Sequence, residues 1–314
     1  MISIEKIKKV KTIIVHDSCP DGMASAMILH QALPDATIRF IQYDTEDHRN
    51  LAAEPGMLFC DFSPYRETAA EFLRAGAVVL DHHAKAIDIV KPFVDAEVGV
   101  FGDEKTEPGV SGAVLAYREI LKQLSFFPLH EHTKIMEDLA TLSGIRDTWQ
   151  IKDHRWVIAC EQAEALRFWP KEKLLAAKVY EWEKYLELGP VIYAQNLEWA
   201  KKCANDAYMF TTKGGLKVAT IGGIKAISDA AEIIGTSVDI TVGFAIFVDD
   251  EKNQIILLSF RSKGNFDCGA LCVAHGGGGH TKAAGCKVKL LPDSPQPYTL
   301  IQKLIEDYES KINV

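Results

Sequence analysis

The stretch AVVLDHH, residues 77–83, joins a short apolar and β-branched run to one aspartate and two histidines. A run of this kind predicts a buried strand, with Asp81, His82 and His83 just past its carboxyl end. Further runs of the same kind lie at Lys11–His16, Ile38–Tyr43 and Met57–Asp61. Longer helical patterns such as Gly22–Leu33 separate them. This alternation is typical of a parallel sheet wrapped by helices, so we predict an α/β fold for the first half of the chain.

Polar side chains also stand at the ends of two other predicted strands. The first strand runs into His16, Asp17 and Asp21, and the third ends on Asp61. In open parallel sheets, ligands bind at the carboxyl ends of the strands. We therefore expect these side chains to meet the polar end of AVVLDHH in one crevice.

The second half of the chain predicts helices first and then a second sheet. The pattern is mainly helical from Ser111 to about Trp199, with a loop expected at residues 144–149 and an amphipathic connector at Lys171–Ala200. Four strands and a closing helix are predicted beyond it, at Ala207–Thr212, Leu216–Gly222, Ile240–Val248, Gln254–Arg261 and Thr299–Lys311. We place the boundary near residue 200. This gives an N-terminal domain with its helical connector over residues 1–200 and a smaller α/β domain over residues 201–314.

Composition and charge bound the class of protein. The 314 residues carry a formal charge of −8. This charge argues against an extended binding surface for duplex nucleic acid, since such a surface relies on many Lys and Arg contacts to phosphate. A short or single-stranded partner stays open, and a homodimer is one oligomeric state that the sequence allows. No apolar run approaches the roughly 18 residues of a membrane span, and the start lacks a signal-peptide pattern. We therefore expect a cytoplasmic protein with reduced cysteines and no membrane partner.

Four positions offer side chains that suit a divalent metal. They are Asp21 with His16 and Asp17 ahead of it, Asp61, the polar end of AVVLDHH, and Asp147. Carboxylates and imidazoles hold the ions that catalyse phosphoryl transfer, and two ions about 4 Å apart activate water and neutralise the leaving oxygen. Taken singly, each position has a structural explanation, such as a helix cap or a turn. Their joint occurrence favours a metal site.

The order of these motifs resembles that of the DHH phosphoesterases. An aspartate-rich strand end is followed by a lone strand-end aspartate, an Asp-His-His and a later Gly-x-x-Asp, here residues 144–147. In addition, Arg261 and the stretch HGGGGHTKAAG, residues 275–285, are similar to the glycine-rich C-terminal domain that accompanies many members. The family includes single-strand exonucleases, oligoribonucleases, nucleotide phosphatases and inorganic pyrophosphatases. The resemblance runs from residue 16 to residue 285, nearly the whole chain.

The resemblance implies a role for each matching residue. The implied metal ligands are Asp21, Asp61, His82 and Asp147. Asp61 is then the bridge between two ions, and His83 faces the substrate phosphate. Asp81 is either a further ligand or a carboxylate that orients His82.

The first motif departs from the fully acidic version of the family. Some members place a carboxylate two residues before or after the aspartate that matches Asp21, where this chain has Cys19 and Met23. A further ligand must then come from His16 or Asp17. Spacing favours Asp17, whereas the His-x-x-Cys-x-Asp-Gly arrangement of one branch of the family favours His16, and both stay open.

The four glycines at residues 276–279 also have a physical interpretation of their own. Backbone without side chains lets N–H groups approach an anion, and we expect a helix to open at Thr281 and favour negative charge there. Substrate phosphate is then expected at Gly277, Gly278, Gly279 and His280. Arg261, at a predicted strand end, is either a phosphate fork or an ordinary ion pair.

Together these features predict an exonuclease-like, metal-dependent phosphoesterase that acts on short single-stranded oligonucleotides or on nucleotides. Two Mn ions are the expected cofactors, with Mg and Co as alternatives. We expect the active site in a cleft between the domains, with the metals on the first and the glycine-rich loop on the second. The alternative is a phosphate- or nucleotide-binding or sensing protein that hydrolyses poorly, because Cys19 and Met23 weaken the first motif.

Overall fold

The computed structural model describes residues 2–43, 45–124, 130–249, 252–279, 281–291 and 294–312. The chain divides into two compact units, Met1–Tyr193 and Ala194–Val314. Each unit is built on its own sheet. Within the described ranges, no helix has the length and apolar content that crossing a membrane requires.

The first unit contains a five-stranded sheet. Its strands are β1 Thr12–His16, β2 Thr37–Ile41, β3 Met57–Cys60, β4 Val78–Asp81 and β5 Gly99–Phe101. They lie in the order β2-β1-β3-β4-β5, and every neighbouring pair is parallel. The predicted parallel sheet is therefore confirmed. The sequence pattern does not predict β5, whose three residues are too few to show a period.

Helices surround this sheet. They are α1 Ile4–Ile7, α2 Pro20–Ala32, α3 Glu46–Arg49, α4 Ala69–Arg74, α5 Ile87–Asp95, α6 Gly112–Leu115, α7 Lys122–Leu124, α8 His130–Asp147, α9 Trp156–Phe168, α10 Lys171–Ala176 and α11 Trp182–Leu186. The next helix, α12 Gly189–Asn205, begins in the first unit and continues in the second, where Ala200 and Cys203 share a core with Ile221. Short 3-10 turns lie at Ala84–Ala86 and Val179–Glu181, and a π-helical segment at Ala116–Leu121 continues α6.

The central strands are buried on both faces. In β1, Ile13 and Val15 lie in the core that contains Met27 of α2, whereas Ile14 lies in a second core with Phe59 and Phe72. A strand whose side chains alternate between two cores needs a continuous apolar sequence. Polar side chains are consequently confined to the strand ends, where the candidate site lies.

The second unit contains a six-stranded sheet with helices. Its strands are β6 Tyr208–Thr211, β7 Lys217–Gly222, β8 Ile240–Val248, β9 Gln254–Ser262, β10 Gly278–Gly279 and β11 Ala283–Leu290. Its helices after α12 are α13 Ile227–Ile234, α14 Cys268–Val273 and α15 Pro297–Ile312. A 3-10 turn lies at Gly235–Ser237. The strand order is β10-β11-β9-β8-β7-β6, with β7 and β8 parallel and the other neighbours antiparallel. Phe260, Leu271 and Ile305 share its core. The four predicted strands and the closing helix are all present.

The loop predicted at residues 144–149 is wrong over its first four residues, because α8 continues to Asp147. Gly144 lies inside the helix, where a methyl group would stand 2.1 Å from the carbonyl oxygen of Gly109. This glycine permits a close backbone approach between two segments and does not end the helix. A glycine in sequence does not distinguish these two uses.

The amphipathic connector predicted at Lys171–Ala200 is not one continuous helix but contains three separate helices. The backbone is extended at Ala177 and Lys178, which ends α10. Val179 and Trp182 then enter the core of the first unit. Burial of these two side chains outweighs the helical preference of the sequence around them.

Candidate metal centre

The carboxyl ends of three strands meet two helix termini at one place in the first unit. His16 ends β1, Asp61 follows β3, His82 follows β4, Asp21 lies in the first turn of α2, and Asp147 is the last residue of α8. We call these five residues the carboxylate–histidine cluster. Nε2 of His82 lies 3.1 Å from Asp61 Oδ1 and 3.3 Å from Asp147 Oδ2, and Nδ1 of His16 lies 3.7 Å from Asp61 Oδ2.

Three groups of side chains in the described part of the chain have ligand atoms within 4.8 Å of one another. They are Asp21, His82 and Asp147; Asp61, His82 and His83; and His16, Cys19 and Asp61. Asp61 therefore stands between the other members of the cluster, which is the place that a bridging carboxylate takes. Cys19 is a group member that the motif comparison treats only as a missing carboxylate.

Hydrogen bonds to the outer ring nitrogens determine which atoms of the two histidines face the cluster. Gln42 Oε1 accepts from the backbone N–H of Tyr43 at 3.0 Å, and it lies 2.8 Å from Nε2 of His16. Nε2 must therefore donate, and Nδ1 is the ring nitrogen that faces Asp61. His82 is held in the same way, with Nδ1 3.1 Å from Glu104 Oε1 and Nε2 facing the carboxylates. Sequence reasoning misses Gln42 and Glu104, since both lie in irregular polar segments.

Two buried atoms of the cluster call for a cation. Asp61 Oδ2 and His16 Nδ1 have no hydrogen-bond partner among the residues that the structure describes. Buried polar atoms normally have one, and these two lie 3.7 Å apart, beyond hydrogen-bond distance of each other. The donor set of carboxylates and imidazoles with unused lone pairs fits a divalent metal ion.

Asp61 has an unusual backbone. Its φ is +54°, in the left-handed region that non-glycine residues rarely adopt, and its side chain is fully buried. Such a conformation costs on the order of 1–3 kcal/mol and concentrates at functional sites. Gly112 of α6 packs directly against it, since a methyl group there would lie 2.3 Å from Asp61 Cβ and 2.9 Å from Asp21 Oδ2. The site therefore requires a glycine at position 112.

Asp21 is held by the start of α6. Its Oδ1 accepts a hydrogen bond from Ser111 Oγ at 2.7 Å, and its Oδ2 accepts from the backbone N–H of Ala113 at 3.2 Å. Ser111 also caps α6 by accepting from Val114 N, as its position before Gly112 predicts. One helix terminus thus positions a carboxylate of the cluster.

Asp81 contacts the ring of His83, whereas the His82 ring is oriented by Glu104. Asp81 Oδ1 accepts from His83 Nδ1 at 2.7 Å and from the backbone N–H of His82 at 2.7 Å. Asp81 Oδ2 accepts from Ser63 Oγ and, at 3.3 Å, from the Tyr43 hydroxyl. Burial opposes the charge on His83, but the neighbouring Asp81 carboxylate raises the pKa of this imidazole to about 9. His83 is therefore an imidazolium at neutral pH in the metal-free protein.

Asp17 points to a different partner. Its Oδ1 accepts a hydrogen bond from Lys171 Nζ in a close ion pair and also accepts from Ser18 N at 2.5 Å. Burial opposes the charge, and Lys171 nonetheless lowers the pKa of this carboxyl. Asp17 belongs to none of the three ligand groups found in the described ranges, so the structure brings His16 to the cluster and pairs Asp17 with a lysine.

The carboxylates of the cluster have pKa values that are shifted in opposite directions. Burial, followed by the charges of Asp61 and Asp147, raises the pKa of Asp21. Burial also raises the pKa of Asp147. For Asp61, burial is outweighed by the His16 and His82 imidazoles, which lower its pKa. A dication at this place would offset the repulsion among the carboxylates and favour the ionised form of each.

Arg261 lies on β9 in the second unit. Its Nε donates to Ser228 Oγ at 2.9 Å, and its Nη1 donates to Ser259 Oγ at 3.1 Å and to the carbonyl oxygen of Phe260 at 2.8 Å. These neutral oxygens fix the position of the guanidinium. Ala283 of β11 stands opposite Arg261, one strand away from the glycine string.

The glycine string has a defined backbone. Gly276 has φ +70° and closes α14, with hydrogen bonds from Gly276 N to Val273 O and from Gly277 N to Cys272 O; this is the Schellman pattern. Gly278 and Gly279 then pair with Gly285 and Ala284 of β11. The string is therefore an ordered turn and strand, and His280 lies outside the described residues.

The helix expected to open at Thr281 is wrong, because β11 begins at Ala283. Ala284 and Cys286, two residues apart, both point into the core of the second unit. This strand alternation is hard to see in the sequence, because the neighbouring residues are small and rich in glycine. The string therefore has no helix N-terminus at Thr281 to offer an anion, and the N–H groups of Gly276 and Gly277 donate to carbonyl oxygens of α14.

Comparisons with known proteins agree with this description. Residues 216–312 match the family model of the DHHA1 domain. A solved DHH domain, from a protein described as a member of a family of ribosomal proteins, shares 14% identity over 98% of this chain and 87% of its own, with a TM-score of 0.57. A search of curated protein sequences finds no match.

Two further solved structures are similar at lower scores. The pGpG-specific phosphodiesterase PggH from Vibrio cholerae shares 14% identity over 96% of this chain and 99% of its own, with a TM-score of 0.40. RecJ with Mg²⁺ from Thermus thermophilus shares 16% over 98% of this chain and 51% of its own, with a TM-score of 0.45. The DHHA1 match and the fold of the DHH domain confirm the resemblance that the motifs indicate.

Proposed function

We propose that this chain, whose residues 216–312 match the DHHA1 domain and which shares the fold of a solved DHH domain, is a metal-dependent phosphoesterase of the DHH family. Its proposed substrates are short single-stranded oligonucleotides or nucleotides. The observation that carries the proposal is the carboxylate–histidine cluster, in which side chains from separate segments converge and the buried atoms Asp61 Oδ2 and His16 Nδ1 have no hydrogen-bond partner among the described residues. Such a donor set serves no purpose in the core of a protein that binds no ion.

The cluster would hold two divalent ions. His16 and Asp61 would bind one, Asp21, His82 and Asp147 would bind the other, and Asp61 would bridge them. We assign His16 and not Asp17 to the first position, because Asp17 is paired with Lys171. When bound, the two ions would lower the pKa of a water and neutralise the leaving oxygen. Mn suits these ligands, with Mg and Co as alternatives.

His83 and Asp81 would act on the substrate phosphate. The His83 imidazolium, whose Nδ1 is held by Asp81, can donate a hydrogen bond to a phosphoryl oxygen through Nε2. Asp81 in turn is fixed by Ser63 and Tyr43. This pair would position one phosphate oxygen and stabilise the negative charge that grows on it.

The second unit would bind the far phosphate or nucleotide end of the substrate. Arg261 offers a positive charge whose position neutral oxygens fix, and Gly277, Gly278, Gly279 and His280 are the further residues that we propose to bind phosphate. The net charge of −8 argues against long duplex substrates. The presence of this glycine-rich domain favours oligonucleotides or nucleotides over pyrophosphate.

The proposal is tested with a panel of short RNA and DNA oligomers, cyclic dinucleotides, adenosine bisphosphate and pyrophosphate. We expect Mn-dependent release of mononucleotide or phosphate from at least one nucleotide substrate, and loss of that activity on chelation. Rates are measured by chromatography of the products. Protein that binds metal but leaves every member of the panel intact, with Mn, Mg and Co in turn, would overturn the proposal.

A nucleotide-binding protein that hydrolyses poorly is the second candidate. It is favoured by Cys19 and Met23, which stand where some relatives have carboxylates. Such a protein would bind nucleotide tightly, remain inert with each metal, and behave identically after Asp81→Ala. Product release by the wild type that disappears in this variant rejects this candidate.

Replacing Arg261 by alanine should raise KM about 10- to 100-fold, since hydrogen bonds to a charged group contribute about 1.5–3 kcal/mol. The metal content should not change, because Arg261 lies in the other unit from the cluster. The matched control is Lys263→Ala, which removes a nearby positive charge that pairs with Glu232. An unaltered KM for Arg261→Ala, or an equal rise in both variants, would contradict a specific phosphate contact.

A further inference from the structure

We infer that Cys19 is a thiolate ligand of the metal centre and that it makes one of the two ion positions selective for Zn²⁺, Co²⁺ or Fe²⁺ over Mn²⁺ and Mg²⁺. The inference rests on the proposed function in one respect, since it takes the cluster to be a metal centre. It concerns a position at which some members of the family carry a carboxylate and this chain carries a cysteine.

The two ion positions differ in chemistry. A ring nitrogen of His16, Sγ of Cys19 and a carboxylate oxygen of Asp61 lie within 4.8 Å of one another. The other position, formed by Asp21, His82 and Asp147, offers only nitrogen and oxygen. A thiolate is a soft ligand that Zn²⁺ and the later transition metals prefer, whereas carboxylate-rich sites suit Mn²⁺ and Mg²⁺.

A second observation points to an ion at the sulfur-containing position. Asp61 Oδ2 is fully buried and has no hydrogen-bond partner in the described part of the chain, and the same is true of His16 Nδ1. They lie 3.7 Å apart, too far for a hydrogen bond between them. Both residues belong to the group that Cys19 completes. An ion among the three would satisfy all of them at once.

The local backbone presents Cys19 to this group. Ser18 has φ +59°, so the chain turns sharply between His16 and Cys19. Cys19 then occupies the N-cap of α2, where Ser, Thr, Asp and Asn are preferred because they accept a backbone hydrogen bond. Its side chain makes no such bond. The thiol instead contacts Asp147 Oδ1 at 3.9 Å, inside the cluster.

Binding at this position would exchange a proton for an ion. The thiol S–H loses its proton to water as the sulfur–metal bond forms, and no oxidation takes place. The resulting centre would combine one position for a soft ion with one for a hard ion. Protein prepared with Mn alone would then be only partly loaded.

The test is a Co²⁺ titration of the metal-free full-length protein, followed by absorption. A cobalt–thiolate bond gives a charge-transfer band in the near ultraviolet, which carboxylate and imidazole ligands do not give. We expect this band to saturate with one equivalent and to disappear in Cys19→Ser. The matched control is Cys203→Ser, which changes a cysteine of the second unit and should leave the band intact.

Competition between metals gives a second measurement. When Zn²⁺ and Mn²⁺ compete for the Co²⁺-loaded wild type, Zn²⁺ should replace Co²⁺ more readily than Mn²⁺ does. In Cys19→Asp, the ratio of bound Zn²⁺ to bound Mn²⁺, measured by mass spectrometry, should fall at least about tenfold. If Cys19→Ser fails to fold, the wild-type band and the Cys19→Asp preference still decide the question.

Bound cobalt without the band in the wild type, or a band that persists in Cys19→Ser, would overturn the inference. Its failure is distinguishable from that of the proposed function. If the protein hydrolyses a substrate but lacks the band, the proposed function is supported and the thiolate ligand is rejected. If the band is present but no substrate is hydrolysed, the thiolate ligand is supported and the proposed function is rejected.

Discussion

Replacing Asp61 by asparagine is expected to lower the rate of hydrolysis by at least about a thousandfold, equivalent to roughly 4 kcal/mol of transition-state stabilisation. Asp61 joins the two proposed ion positions, and an amide is a poor ligand for either ion. Asparagine has the same size and tolerates the left-handed backbone of this residue. Initial rates and the melting temperature of the same preparation separate lost chemistry from lost fold.

Two variants make this result specific. Asp61→Ala should be equally inactive but also less stable, because alanine strains at φ +54°. Asp17→Asn should retain its activity, since Asp17 pairs with Lys171 and not with the cluster. Near wild-type hydrolysis by Asp61→Asn, or an equal loss in Asp17→Asn, would contradict the assignment of the ligands.

Replacing Gly112 by alanine should lower the rate at least about a hundredfold, because a displacement of about 1 Å at a reacting site has this effect. The added methyl group would lie 2.3 Å from Asp61 Cβ and 2.8 Å from its Cα, so α6 and Asp61 must move apart. Overpacking of this kind also destabilises the fold by about 1–3 kcal/mol. Urea unfolding and kcat measure the two effects.

The matched control is Gly222→Ala at the end of β7. A methyl group at Gly222 would meet no atom of the described residues within 4 Å. This variant should therefore have the same stability to urea and the same rate of hydrolysis as the wild type. Equal behaviour of Gly112→Ala and Gly222→Ala would show that α6 does not position the carboxylates.

The strands of the first unit are predictable because burial on both faces demands continuous apolar sequence. The stretch AVVLDHH illustrates this, since β4 ends on Asp81 where the apolar run ends. The convergence of His16, Asp61 and His82 follows from the parallel sheet, because strand ends at one edge must lie together. Asp147 is found through its motif, although it ends a helix and does not lie in a loop.

Contacts between distant segments are what the sequence does not reveal. The choice between His16 and Asp17 depends on Lys171, which lies 154 residues from Asp17. Glu104 orients His82 from an irregular segment that has no period to recognise. Gly112 and Gly144 allow close backbone approaches that only the folded chain displays. The glycine string is likewise ordered by β11, which pairs with it in space.

The most direct test of the metal centre is anomalous diffraction from crystals of the full-length protein soaked in Co²⁺, an ion that accepts nitrogen, oxygen and sulfur ligands. Two peaks are predicted, one on each side of the Asp61 carboxylate, the first bonded to His16 and the second to Asp21, His82 and Asp147. The absence of any peak bonded to Asp61, with cobalt bound elsewhere or not at all, would contradict the account.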